Sequence, residues 1–166
     1  MRKIPYFGVT DFASHEQVTQ ALACIPISLD RRLHVGVMAS YKTVTGIKTK
    51  TGWENIWPRG EVLRSIFQPD PRVFNVLHYA DFDNPSYTTA DHLAKICREA
   101  GSYLHGLQLD MVWPDLALIQ EFKDSFPDIE VIVQINSKAI EHLTVNGKQL
   151  DVCVSEYEKY GVDYFL

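Results

Sequence analysis

The sequence predicts an α/β fold. It is a parallel (β/α) barrel of the TIM type, incomplete, with about five strand–helix units and a sixth strand in a single domain spanning residues 1–166. Three observations predict it. Apolar runs of strand length alternate with segments of helical pattern, the order of a parallel sheet covered by helices. The units recur roughly every 30 residues, as in a barrel of about 250 residues divided into eight. Polar residues gather at the C-terminal ends of the strands, the end where a barrel places its chemistry.

The elements follow in order. "IPYFGVT" (4–10) is the first strand, and Ser14 with Gln17 forms an S-x-x-Q capping box for a helix reaching about Cys24. "LHVGVMA" (33–39) is the second strand. Residues 40–60 form a long polar loop, followed by a short helix "EVLRSIF". "RVFNVLHYA" (72–80) is the third strand, and Thr88 caps the helix "TADHLAKICREAG", with Gly101 as its stop. "YLHGLQLD" (103–110) is the fourth strand, and Pro114 suits the first position of the helix "PDLALIQEFKDSF". "IEVIVQIN" (129–136) is the fifth; two helices around a "VNGK" turn lead to Gly161 and the sixth, "VDYFL".

A doubly wound nucleotide-binding sheet competes with the barrel. It calls for a glycine-rich turn after the first strand, and "GVTDFAS" has none; "GIKTKTG" lacks the ending of a P-loop. A closed barrel wants eight strands, so "GVDYFL" is expected to be the sixth strand of a barrel cut short. The alternatives are a partial barrel completed by a second copy, hence a homo-oligomer, or an open sheet whose edge a partner protects.

Composition narrows the classes. The chain has 46% hydrophobic and 22% charged residues and a net charge of -5, which argues against nucleic acid and anionic membranes as partners. Its three cysteines, Cys24, Cys97 and Cys153, are too scattered for a disulfide framework or a zinc knuckle. Cys24 and Cys97 are expected on the apolar faces of helices. "MRKIPYFGVTDF" lacks the apolar core of a signal peptide, and no run approaches the ~20 apolar residues of a membrane span. A reducing cytoplasm is the expected location, a small molecule the expected partner, and no cofactor or metal is called for.

Several strand ends carry candidate chemistry. Asp110 ends the fourth strand with Gln108 two residues earlier on the same face, a carboxylate beside an amide. Asp11 lies just past the first strand, as a proton-transfer group or as a carboxylate near a helix start. His78 and Asp81 follow the third strand as a base and its orienting partner, or as members of a turn in "DFDNPS". Gln134 and Asn136 end the fifth strand and would orient a substrate through hydrogen bonds, or be buried amides with satisfied partners. Lys42, Lys48, Lys50 and Arg59, with Trp53 and Trp57, make the 40–60 loop a lid over a phosphorylated or aromatic substrate, or else a solvated loop. His34 and His105 begin their strands, at the opposite, stabilising face.

In layout the chain resembles the phosphoribosylanthranilate isomerase family. "PYFGVT" resembles that family's first strand, "GLQLD" its fourth and "GVDYFL" its sixth. The resemblance implies a phosphate-binding barrel fold and a kind of site. It does not carry the isomerase mechanism over, because Phe7 stands where the family has its general-base cysteine, and phenylalanine cannot move a proton. The family's general acid and phosphate loops fall beyond Leu166.

The expectation is a lyase or isomerase acting on a small, phosphorylated or otherwise anionic metabolite. Asp110, Asp11 and His78 would be the catalytic groups; Gln108, Gln134, Asn136, Lys42 and Asp81 would bind substrate. The alternative is a non-catalytic barrel that binds a small molecule or a protein. A metal-dependent hydrolase would need His78, Asp81 and Asp110 to converge.

Overall fold

The computed structural model describes residues 4–26, 30–48, 57–82 and 86–166. Six strands form one all-parallel sheet in chain order: β1 (Tyr6–Val9), β2 (Arg32–Ser40), β3 (Val73–Asp81), β4 (Gly106–Met111), β5 (Glu130–Val133) and β6 (Val162–Phe165). Among the described residues seven helices lie between them: α1 (His15–Ala23), α2 (Tyr41–Thr45), α3 (Gly60–Ile66), α4 (Ala90–Ala100), α5 (Leu116–Ser125), α6 (Ser137–Val145) and α7 (Leu150–Lys159). This is the architecture of an incomplete TIM-type barrel, as the alternation of apolar runs and helical segments predicts.

Strand alternation sorts the side chains into two layers. Val35, Val37, Leu77, Leu107, Leu109 and Val131 face the helices and join Leu93, Ile96, Ile119 and Phe122 in the main core. Phe74, Val76 and Ile132 face the other way, where Tyr6 and Tyr164 pack against them. The rings of Tyr6 on β1 and Tyr164 on β6 meet edge to face, with centroids 5.5 Å apart. These are the two edge strands of the sheet, so their contact across the concave face shows how far the sheet curls.

The last strand carries an irregularity that matters for this contact. Val131 pairs with Val162, whereas Ile132 pairs with Tyr164, so Asp163 is an extra residue in β6. Its carboxylate accepts the Val131 N–H at 2.9 Å, and Lys123 Nζ lies 3.4 Å from it. A one-residue slip moves a side chain to the opposite face of a sheet. The bulge is therefore what puts Tyr164 on the concave side, level with Ile132.

The helix boundaries follow local capping chemistry. Ser14 and Gln17 form the expected capping box. Four expectations are corrected. Thr89, not Thr88, caps α4, with His92 as the reciprocal partner; the Thr88 hydroxyl donates instead to Asp81 Oδ2 at 2.6 Å. Asp115 caps α5 by accepting from Ala117 N at 2.8 Å, which leaves Pro114 two residues before the first residue of the helix. Cys24 is exposed at the C-terminus of α1, whereas Cys97 is buried and its thiol pKa is pushed up to about 12 by that burial. The 40–60 segment is not all loop: Ser40 and Thr43 form a second capping box and start α2.

Within that segment Glu99 of α4 acts as a clamp. It accepts from Arg59 Nε at 2.8 Å, from Arg59 Nη2 at 2.7 Å and from Gly60 N, while Arg59 Nη1 donates to Thr43 O. The guanidinium beside Glu99 holds its carboxyl below the usual range. Arg59 thus ties α2, α3 and α4 together. Lys50 and Trp53 lie outside the described residues.

Candidate functional site

The C-terminal ends of β3, β4 and β5 bring five of the expected residues together. His78, Gln108 and Asp110 are buried, although polar. Register explains their proximity: His78 of β3 pairs with Gln108 of β4, two residues before Asp110. His78 Nε2 lies 3.4 Å from Asp110 Oδ2. The other carboxylate oxygen, Oδ1, accepts from Asn136 Nδ2 at 2.9 Å. Beside them Gln108 Nε2 donates to Gln134 Oε1 at 2.7 Å.

Asn136 serves two elements at once. Its side-chain oxygen accepts from Ala139 N at 2.9 Å and caps α6, while its amide nitrogen holds Asp110. The helix start therefore fixes the carboxylate, and the carboxylate fixes the imidazole. A carboxylate can only accept when ionised, so the His78 nitrogen facing it carries the proton. In neutral His78 this leaves Nδ1 as a bare acceptor, buried and without a protein partner.

The other three expected residues lie apart from this group. Asp81 is buried at the end of β3, and its Oδ2 accepts from Ser86 Oγ at 2.6 Å, Tyr87 N at 3.2 Å and Thr88 Oγ1 at 2.6 Å. It orders the approach to α4. Lys42 sits in the first turn of α2 with its ammonium 5.6 Å from the Tyr41 ring, and Tyr41 in turn packs on Tyr87. Asp11 is exposed just beyond β1, in the left-handed backbone region at φ 68°. Among the described residues no cluster of three or more His, Cys, Asp or Glu side chains could hold a metal ion, so the His78, Asp81 and Asp110 convergence that a metal hydrolase needs is not formed.

His34, like His105, is a residue that sequence reasoning discounted. It lies on the concave face of β2, buried, with its ring stacked on Tyr6. Two glycines make room for it. A methyl group on Gly36 would sit 2.8 Å from His34 Cε1 and 3.1 Å from Thr10 Cα; one on Gly8 would sit 3.4 Å from His34 Nδ1. The imidazole thus leans along β2 over Gly36, toward the C-terminal end of the strand. Its Nδ1 lies 3.3 Å from Val9 O, a group that only accepts, so Nδ1 carries the hydrogen. Burial pushes its pKa down to about 4, offset in part by the Val9 contact, and His78 is near enough for its charge to lower it further. The sequence signal was the pair of glycines inside two neighbouring strands, which marks a close approach.

Below this level Phe74 closes the concave face, with the Arg32 guanidinium 4.4 Å from its ring centre and His105 stacked on it. No helix among the described residues is long and apolar enough to cross a membrane. No protein-family model matches the chain, and a search of curated proteins finds no match either.

Proposed function

We propose that the chain is a barrel-type enzyme, of the lyase or isomerase class and similar in kind to phosphoribosylanthranilate isomerase, that moves a proton on a small anionic metabolite. The observation that carries this reading is the series Asn136–Asp110–His78 at the C-terminal ends of the strands, in which His78 and Asp110 are buried. His78 Nδ1 takes the proton from a substrate carbon or heteroatom. Asp110 holds the opposite ring nitrogen in its protonated tautomer and stabilises the imidazolium that forms. Gln108 and Gln134 orient the substrate, and Lys42 meets its negative group at the rim. A base and an orienting carboxylate in this arrangement contribute about 10²- to 10⁴-fold in rate.

Solvent deuterium is the direct test, because a proton moved to or from carbon leaves its label whatever the product. The protein is incubated in D₂O with small oxo and hydroxy acids and sugar phosphates, and carbon-bound deuterium is read by NMR. Protein-dependent exchange that falls at least about 100-fold in His78→Gln and Asp110→Asn supports the reading. Exchange that is equal in the parent and both folded variants, or absent with every compound, overturns it.

A further inference from the structure

The N-terminal ends of the strands, opposite His78 and Asp110, carry a cleft of their own. Its volume is about 630 Å³, and it lies among the segments that lead into β1, β2 and β3. Backbone hydrogen bonds set these segments side by side: Arg32 N donates to Pro5 O at 3.0 Å, and Leu33 N to Arg72 O at 2.7 Å. Three arginines, Arg31, Arg32 and Arg72, line the cleft together with two aspartates, Asp30 and Asp70. Both oxygens of Asp70 are taken up by Arg72, through Nε at 3.0 Å and Nη2 at 2.7 Å, and that guanidinium holds the Asp70 carboxyl below the usual range. Asp30 lies 4.0 Å from Arg31, and both side chains are mostly exposed.

Arg32 is different. It is half-buried, and its guanidinium lies over the Phe74 ring, 4.4 Å from the centre. Its Nε is buried without a partner, while Nη1 and Nη2, which no protein group meets among the described residues, stay open to solvent. Among the described residues no carboxylate forms an ion pair with it. The charge is therefore felt by its neighbours: after burial, Arg32 is what holds the His105 pKa below its ordinary value. Glu130, a carboxylate of β5 with one unpartnered oxygen, acts on Tyr164 and does not line the cleft. A partly desolvated cation without a counter-charge gains from a ligand that supplies one.

We infer that the cleft binds a small organic monocarboxylate, with its carboxylate on the Arg32 guanidinium and its carbon chain against Ile4 and Pro71. A guanidinium edge offers paired N–H groups, which fit the two oxygens of a carboxylate. One negative charge matches the one lining cation that no carboxylate meets. A phosphate dianion would leave a second negative charge close to Asp30 and Asp70. Ile4 is about half exposed (51%), so it has apolar surface to offer a carbon chain, which inorganic phosphate lacks. The site stands at the other end of the strands from the proton-transfer series and does not depend on it.

The test uses the whole protein, labelled with ¹⁵N, at neutral pH and low salt. Butyrate, butan-1-ol and inorganic phosphate are titrated, and the Arg32 Nε–H and the Leu33 and Val73 amides are followed by NMR. The expected result is a saturable shift with butyrate, at concentrations at least about tenfold below any response to the other two. Arg32→Gln, checked for folding by circular dichroism, should weaken butyrate about tenfold as read at the two amides, equivalent to about 1.4 kcal/mol. Arg32→Lys keeps the charge but loses the paired donors, and should weaken it as well. In the parent protein, no saturable response to butyrate, an equal response to butan-1-ol, or phosphate binding as tight as butyrate overturns the inference. Undiminished butyrate binding in either folded variant overturns it too.

Discussion

His34 makes acid stability a residue-scale property. Its folded-state pKa of about 4 lies below the unfolded value near 6.5, so the unfolded chain binds a proton more readily. Below pH 6.5 protonation favours unfolding; stability is therefore lost as pH falls from about 6.5 to about 4 and levels off beneath that. The shift corresponds to roughly 3 kcal/mol. Denaturant unfolding between pH 7 and pH 4 should show this loss in the parent and a shallower slope in His34→Gln. Asn136 offers a second residue-scale prediction. Asn136→Asp keeps an oxygen for the α6 cap but removes the donor to Asp110 and sets a second carboxylate beside it. The expected outcome is a retained helix by circular dichroism and a loss of about 1–3 kcal/mol in stability by denaturant unfolding. Position along a strand was enough to single out Asp110, Gln108, His78, Gln134 and Asn136, because period-two alternation fixes which residues share a face. It placed His34 correctly at the start of β2 but did not foresee the lean of its ring, because the space left by glycines depends on two neighbouring strands at once.

At the scale of elements, Asp163 decides how β6 meets the sheet. Its carboxylate takes the place of a backbone acceptor for the buried Val131 N–H. Asp163→Ala should leave that donor unpaired, cost about 1–3 kcal/mol and speed hydrogen exchange at the Val131 amide. Unchanged protection there would mean that the bulge holds itself without the carboxylate. "GVDYFL" was legible as a strand from its apolar run and the glycine before it. The bulge was not, since an apolar strand with one acid reads the same in either register. The capping box at Ser14 was legible because both partners lie within one turn. The true cap of α4 was not, because "TT" offers two equivalent hydroxyls and the choice is made by Asp81, outside the helix.

For the molecule as a whole, the contact between Tyr6 and Tyr164 measures curvature. The two residues sit on opposite edge strands and can touch only if the sheet wraps round Phe74. A double-mutant cycle with Tyr6→Leu and Tyr164→Leu should give a coupling of about 0.5–1.5 kcal/mol. A coupling near zero would mean that the edges stand apart in solution. The parallel, helix-covered layout was legible in the sequence from its repeat length, whereas the extent of wrapping depends on side chains far apart in the chain.

Every strand pairs only with the strands before and after it in the chain, from β1 to β6. Among the described residues no strand is inserted between two formed earlier. Such a sheet has no keystone in its threading. A strand–helix unit can be joined or lost at either margin while the path of all the others stays as it is, so the number of units is a quantity that evolution can adjust without redrawing the map. The hydrogen-bonded group at the ends of β3, β4 and β5 lies inside that series, sheltered from changes at its margins.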